Sequence, residues 1–197
     1  KTTLKKGYFY SALYHRSTKG TITRIATQVP PSTLIYTVFQ NAGHSSNTGV
    51  EMVFQHDFSK VVSFNTNVNV YQNIIDAFTV ENKYPVPSIY TGSKEQFTSG
   101  NIKLNGIFHL PKQTDIQITS IYLAPDIIPQ GKIGTRFSVD MGIKKQIQKS
   151  KGELFFNASD IFNTLKIKKE LNGNGFKLIN TDFYETQVFR LGYSYKF

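Results

Sequence analysis

The sequence predicts an all-β fold, an antiparallel up-and-down β-barrel that spans a membrane. Three observations predict it: period-two alternation recurs along the chain, helical periodicity is nearly absent, and short and long connections alternate. Successive side chains of a strand point to opposite faces, so each alternating segment has one apolar and one polar face. We expect eight such strands.

The predicted strands of the first half differ in clarity. Tyr8–Arg16 is blurred by aromatic residues at both parities. Val50–Gln55, Val62–Val70 and Asn101–Leu110 alternate cleanly, and the polar parity of the second of these is rich in serine and asparagine. These three segments therefore predict strands with two unlike faces.

The second half continues the same pattern. Asp115–Leu123 is blurred by Ile121, whereas Thr135–Lys144 alternates cleanly, and a seventh strand is expected between the turn at Lys149–Gly152 and the loop at Lys166–Asp182. The last strand, Val188–Phe197, carries aromatic and aliphatic residues at one parity and polar or small residues at the other. Its final residue belongs to the apolar face, so that face must be covered.

The connections alternate in length. Three short turns are expected at His56–Lys60, Pro111–Thr114 and Lys149–Gly152. Four long loops are expected at Ser17–Ser32, Asp76–Ser99, Pro125–Gly134 and Lys166–Asp182. Short turns at one end and long loops at the other are typical of outer-membrane barrels, and strands of about ten residues can cross a bilayer when tilted.

Composition agrees with this fold and leaves one alternative open. Charged residues make up 18% and aromatic residues 14% of the 197 residues, and the formal charge of +10 favours a nucleic acid or an anionic membrane surface as partner. No apolar run is long enough for a transmembrane helix. Aromatic residues gather near strand ends, as in interface girdles: Tyr71, Phe108, Tyr122, Phe162, Phe189 and Phe197. A soluble β-sandwich or lipocalin-like binding module would show the same alternation.

Few residues indicate reaction chemistry. The four histidines lack ligand spacing, no cysteine is present, and no nucleophile or phosphate-loop motif occurs, so we expect no enzyme, no metal site and no cofactor. The basic segment Leu165–Leu178 lacks a stacking platform, and nucleic acid is therefore not expected as a partner. Tyr84 and Tyr90, in the longest loop, are candidates for an aromatic ligand contact.

Three motifs carry a resemblance to a known family. The segment Asn157–Thr164 contains Asp160, Ile161, Phe162 and Asn163, and the chain ends in "VFRLGYSYKF". Earlier, "NAGHSSNTGVEM" places Asn41, Gly43, Gly49 and Glu51 in a recurring pattern. In this order, the motifs resemble the C-terminal barrel portion of TonB-dependent outer-membrane receptors of the type found in Bacteroidetes.

The resemblance implies location, function and partners. It implies a bacterial outer-membrane receptor that binds and admits a nutrient ligand without covalent chemistry. Its partners would be outer-membrane lipid, the barrel-insertion machinery and a TonB-type energy-coupling protein, which acts on a plug not present in this chain. Residues 1–197 would then be one domain, part of a barrel of roughly 22 strands. A small self-contained barrel serving as an accessory or scaffold subunit is the alternative, and closure of Tyr8–Arg16 against Phe189–Phe197 would distinguish it.

The predicted faces assign the site residues. The lumen-lining residues are expected to be Glu51, Asn65, Asn67, Arg136, Asp140, Lys144 and Arg190. The lipid-facing residues are expected to be Phe137, Val139, Met141, Phe189 and Leu191. The resemblance implies that Tyr193, Tyr195 and Phe197 form the assembly signal. A ladder of opposite charges from Arg136 through Asp140 to Lys144 is an alternative to plain pore lining.

Overall fold

A computed structural model describes residues 1–197, and β-strands dominate it. The only helical element is one 3₁₀ turn at Gln148–Ser150, and no helix is long and apolar enough to span a membrane. The strands are β1 Thr2–Leu4, β2 Gly7–Lys19, β3 Ile22–Gln28, β4 Ile35–Asn41, β5 His44–Asp57, β6 Val62–Ile75, β7 Phe78–Asn82, β8 Ser88–Gly92, β9 Glu95–Leu110, β10 Thr114–Leu123, β11 Asp126–Ile128, β12 Gly131–Ile133, β13 Arg136–Ile147, β14 Gly152–Ser159, β15 Lys166–Gly173, β16 Phe176–Phe183 and β17 Val188–Tyr195.

Nine of these strands form one antiparallel sheet in the order β1-β2-β5-β6-β9-β10-β13-β14-β17. Eight of them are the eight strands that the alternation predicts, and β1 is a short addition at one edge. The all-β antiparallel prediction is thus confirmed. The sheet is open: β2 pairs with β1 and β5, whereas β17 pairs with β14. The ring closure that would mark a self-contained eight-stranded barrel is absent from the structure.

The long connections contain β-hairpins, which corrects their prediction as loops. β3 pairs with β4, β7 pairs with β8, and β11, β12, β15 and β16 form a four-stranded sheet. The main strands are also longer than the sequence pattern predicts, since β5 begins at His44 and β9 begins at Glu95. The last regular strand ends at Tyr195, short of Phe197. Short turns still lie at one end of the sheet and long connections at the other, as predicted.

Strand register divides the main sheet into two faces. Glu51 pairs with Asn69, Asn67 with Lys103, and Asn105 with Thr119, so their side chains share one face. We call this the polar face. Tyr122 pairs with Phe137, and Phe156 pairs with Leu191, on the opposite, apolar face. Because the register is continuous, the alternation seen in single strands becomes two continuous surfaces.

The buried core does not lie inside the main sheet. Only 16 of 197 residues are buried, and the buried apolar cluster consists of Ile25, Ala42, Ile75, Phe78, Val80 and Ile127. These residues lie in the hairpins of the long connections or at the adjacent strand ends. The apolar face stays exposed, with Leu13 at 83% and Leu191 at 79%. The long-loop end therefore holds together through its own small core.

Candidate functional site

A large cavity lies on the polar face near the long-loop end. It has a volume of about 1090 Å³ and is lined by side chains of β2, β5, β6, β9 and β11. Its lining includes Tyr14, Glu51, Asn67, Asn69 and Lys103, which are mostly uncharged polar or aromatic groups. Such a lining offers many hydrogen-bond donors and acceptors in a concave surface, which suits the binding of a polar ligand.

Gly49 creates the space that two tyrosines of this cavity occupy. A Cβ at Gly49 would lie 2.7 Å from the Cβ of Tyr71 and 2.9 Å from the hydroxyl of Tyr14. The Tyr14 hydroxyl donates to Oδ1 of Asn69 at 3.1 Å. Gly43, in the same motif, has φ +76°, and its amide donates to Oδ1 of Asn41 at 3.2 Å. The motif thus serves both a turn and the shape of the cavity.

A carboxylate from a long connection reaches the wall of the cavity. Asp126, at the start of β11, accepts hydrogen bonds from the hydroxyl of Tyr71 at 2.7 Å and from Nδ2 of Asn73 at 2.9 Å. Tyr71 therefore belongs to the polar face, which corrects its prediction as a girdle residue. Because Asp126 ties a loop to the wall, movement of that loop would change the cavity directly.

The predicted lumen residues fall into two groups. Glu51 and Asn67 line the cavity, and Nδ2 of Asn67 donates to Oε1 of Glu51 at 3.3 Å. Asn65 lies nearer the short turns, beside a separate cavity of about 240 Å³. The other four residues are on β13 and β17, away from the large cavity, although the register keeps them on the polar face: Arg136, Asp140, Lys144 and Arg190.

The charge ladder on β13 does not form. Nζ of Lys144 lies 2.8 Å from Oε2 of Glu153, and Oδ1 of Asp140 accepts from the backbone N–H of Asp160 at 2.8 Å. Nε of Arg136 is buried without a hydrogen-bond partner. Asp140 therefore supports the backbone of the neighbouring turn, and plain lining of the polar face remains the prediction for Arg136 and Lys144.

Side chains bind the long connections to one another. Gln130, 2% exposed, accepts from the Ala26 N–H at 2.7 Å and donates to the Ala26 carbonyl at 2.8 Å, so its amide pairs with backbone as a strand would. The fully buried Asn82 donates to Oγ1 of Thr27 at 2.7 Å and accepts from Nε2 of Gln40 at 2.7 Å. Hairpins distant in sequence thereby form one outer layer over the end of the sheet.

Asp160 explains the second motif. Its carboxylate is 2% exposed and accepts from the N–H groups of Thr164 and Leu165 at 2.9 and 3.1 Å and from Oγ1 of Thr186 at 2.6 Å. Burial by itself would raise the pKa of Asp160, but these hydrogen bonds outweigh burial and hold the pKa below its ordinary value. One carboxylate thus fastens both ends of the connection between β14 and β17.

Tyr84 and Tyr90 lie in different surroundings. Tyr90 packs on the buried cluster, with its ring centroid 5.8 Å from that of Phe78, and burial raises its pKa. Tyr84 lies in the turn between β7 and β8 with 69% exposure. Tyr90 also lines two smaller cavities among the hairpins, and a ligand contact stays a prediction for both tyrosines.

The residues predicted to face lipid share the apolar face. The register of β10, β13, β14 and β17 places all five on this face: Phe137, Val139, Met141, Phe189 and Leu191. Val139 differs in being only 8% exposed. Its carbonyl accepts from the Ile161 N–H at 2.8 Å, which places the turn after β14 beside it. Their contact with lipid stays a prediction.

The predicted assembly residues lie at the free edge of the sheet. The hydroxyl of Tyr193 donates to Oε1 of Gln148 at 2.7 Å, and the rings of Tyr195 and Phe197 meet edge to face at 5.4 Å. Phe197 is fully exposed. β17 has a partner on only one side, so its other backbone edge is available for pairing.

Sequence reasoning missed Tyr14 and Asp126. Aromatic residues at both parities of β2 concealed that Tyr14 points to the polar face. Asp126 stands in a connection whose contacts no alternation could reveal. No group of three or more His, Asp or Glu side chains is arranged to hold a metal ion.

Comparison with known families gives one match. A family model described as the outer membrane protein beta-barrel family matches residues 1–195. Comparison with curated proteins and with solved structures found no match. The match spans the main sheet and all the long connections.

Proposed function

The chain belongs to the outer membrane protein beta-barrel family, and from this premise we propose that it is barrel wall of a TonB-dependent receptor that binds a nutrient ligand and admits it across the outer membrane. The protein is located in the bacterial outer membrane. In such a barrel the polar face lines the lumen and the apolar face contacts lipid. The short turns lie in the periplasm and the long connections outside the cell.

The observation that carries this proposal is the cavity of about 1090 Å³ on the polar face, which Asp126 links to the external connections. A ligand that enters between the external hairpins would meet Tyr14, Asn69 and Lys103 on the wall. Because Asp126 joins wall and loop, ligand binding would be coupled to the position of the loop.

The open sheet supports a larger barrel. Backbone N–H and C=O groups left unpaired in hydrocarbon are costly, so the edge of β2 beyond Phe9, which β1 does not cover, and the edge of β17 must each be paired in the membrane. We infer further strands of the same barrel, and a plug on which a TonB-type protein acts. The free edge of β17, with Tyr193, Tyr195 and Phe197 beside it, suits recognition by the barrel-insertion machinery through strand addition.

The test is growth of cells that depend on one limiting nutrient at a time. The probes are a ferric chelate, an oligosaccharide or a peptide mixture, supplied to cells with the gene, without it, or without TonB. We expect at least one nutrient to require both the gene and TonB. Asp126→Asn should impair growth on that nutrient, whereas Asp57→Asn, an exposed carboxylate at the short-turn end, should not. Growth that never depends on the gene would contradict the proposal.

A further inference from the structure

Positive charge is concentrated at the short-turn end of the sheet. Nine exposed lysines lie there, in the turns, at the adjoining strand ends or at the chain termini. We call them the lysine rim: Lys1, Lys5, Lys6, Lys60, Lys112, Lys145, Lys149, Lys151 and Lys196. Backbone hydrogen bonds bring neighbouring turns side by side: the Lys6 carbonyl accepts from the Asp57 N–H, and the Lys151 carbonyl accepts from the Lys196 N–H. The rim is therefore one continuous basic surface.

The charges of the lysine rim are not neutralised within the protein. None of its nine lysines takes part in an ion pair. The nearby carboxylates are few compared with nine lysines: Glu153 pairs with Lys144 at 2.8 Å, Asp115 bonds to His109 at 2.7 Å, and Asp57 forms no ion pair. So many unpaired like charges repel one another. An anionic partner would relieve that repulsion.

The long-loop end is different. There Lys94, Lys169 and Lys177 form ion pairs with Asp76, Asp182 and Glu170. Acidic residues nearly match basic ones in the long connections. The formal charge of +10 thus arises mainly at one end of the molecule.

An aromatic row on the apolar face lies next to the lysine rim. The rings of Phe54, His56, Phe58, Phe64 and Phe108 follow one another with centroid distances of 6.0, 4.8, 5.8 and 6.1 Å. Phe58 is in the same turn as Lys60. Aromatic rings favour the boundary between acyl chains and headgroups, and lysines beyond them reach the phosphates.

We propose that the lysine rim binds anionic glycerophospholipids of the periplasmic leaflet through their phosphodiester headgroups. The unpaired positive charge of the lysines is complementary to the negative charge of the headgroup phosphates. The aromatic row, at the boundary with the acyl chains, sets the depth of the rim in the membrane. This inference rests on the barrel orientation and not on transport. A basic residue near an anionic surface adds up to about fivefold in affinity. The rim would hold the barrel at a fixed depth and recruit such lipids around it.

The test measures lipid retention by the purified full-length protein in detergent. Phosphatidylglycerol and phosphatidylethanolamine with identical acyl chains are added together, and the bound lipids are counted by native mass spectrometry. We expect phosphatidylglycerol to be retained about tenfold more, with the preference lost in high salt because screening weakens it. Equal retention of the two lipids would overturn the proposal, whether or not any nutrient is transported.

Two matched variants locate the site. The rim variant carries Lys60→Gln, Lys112→Gln, Lys149→Gln and Lys151→Gln. The control carries four changes at exposed lysines of the long connections: Lys83→Gln, Lys132→Gln, Lys166→Gln and Lys168→Gln. The rim variant should lose about tenfold in phosphatidylglycerol retention and the control less than twofold. Equal losses, or displacement of the lipid by millimolar inorganic phosphate, would overturn it. Lys60→Gln alone serves if the fourfold variant does not fold.

Discussion

Replacement of Asp160 by alanine tests whether one carboxylate fastens the connection between β14 and β17. The change removes the acceptor for the N–H groups of Thr164 and Leu165 and for the hydroxyl of Thr186. The hydrogen bond that the backbone N–H of residue 160 donates to Oδ1 of Asp140 would remain, because it does not use the Asp160 side chain. The expected effect is therefore local opening of this connection.

The magnitude follows from the groups left without partners. Two backbone N–H groups lose the buried carboxylate as their acceptor, and each buried donor left without a partner costs about 1–3 kcal/mol of stability. Asp160 has φ 44°, a left-handed conformation that costs alanine about 1 kcal/mol more. A total near 4 kcal/mol would raise the population of the open connection roughly 1000-fold.

Trypsin measures this opening, because the connection contains Lys166, Lys168, Lys169 and Lys177. When opening is fast, cleavage of a folded protein follows the population of the open form. Asp160→Asn, which keeps one acceptor oxygen and tolerates the left-handed conformation, should give an intermediate rate. Asp182→Ala serves as control, since its carboxylate takes no part in the contacts of Asp160: it forms a long ion pair with Lys169 at 3.6 Å and accepts from Nδ2 of Asn180 at 2.7 Å. Equal cleavage rates for the alanine variants at 160 and 182 would refute the reasoning.

Four further outcomes are expected. First, folding lowers the pKa of Asp160, so the stability that its charge contributes is complete above the ordinary pKa of about 3.9 and is lost as the pH falls through the lower pKa of the folded state. Thermal unfolding followed by circular dichroism should show this loss of stability in acid for the native protein and not for Asp160→Asn. Second, Leu191→Arg should cost about 2–4 kcal/mol in membrane stability and prevent assembly, measured as a heat-modifiable band, whereas Ser194→Arg on the other face should assemble; equal damage would contradict the face assignment. Third, Gln130→Leu should leave the Ala26 N–H and carbonyl unpaired, cost about 2–4 kcal/mol and speed hydrogen exchange at that amide, and unchanged exchange would refute the clamp. Fourth, Gly49→Val should lower the free energy of unfolding, measured in urea, by about 1–3 kcal/mol, because the Cβ of the new residue would lie 2.6 Å from the Val70 carbonyl oxygen. An unchanged free energy of unfolding would show that the strands can shift.

The main sheet could be predicted because its information is local. Phe137 and Met141 alternate with Arg136 and Asp140 within one strand, and strand pairing only extends this alternation sideways. The order of short turns and long connections is likewise visible along the chain. The choice between an outer-membrane barrel and a soluble β-sandwich could not be made from alternation, and family membership decided it.

The long connections could not be predicted because their partners are distant. Gln130 and Ala26 are 104 residues apart, and Tyr71 and Asp126 are 55 apart. No local pattern reports that the side chain of a turn residue will pair with another hairpin. The sequence pattern therefore predicts loops where the structure has hairpins.

The sequence by itself determined the eight long strands of the main sheet, their two faces and the excess of positive charge, since each depends on residue type and spacing alone. Only the tertiary structure decided where these features meet. Register gathered nine lysines at one rim, Gly49 made room for two tyrosines, and Asp126 reached the wall from a distant connection. These are contacts between residues far apart in the chain, and their formation depends on how the whole chain folds back on itself.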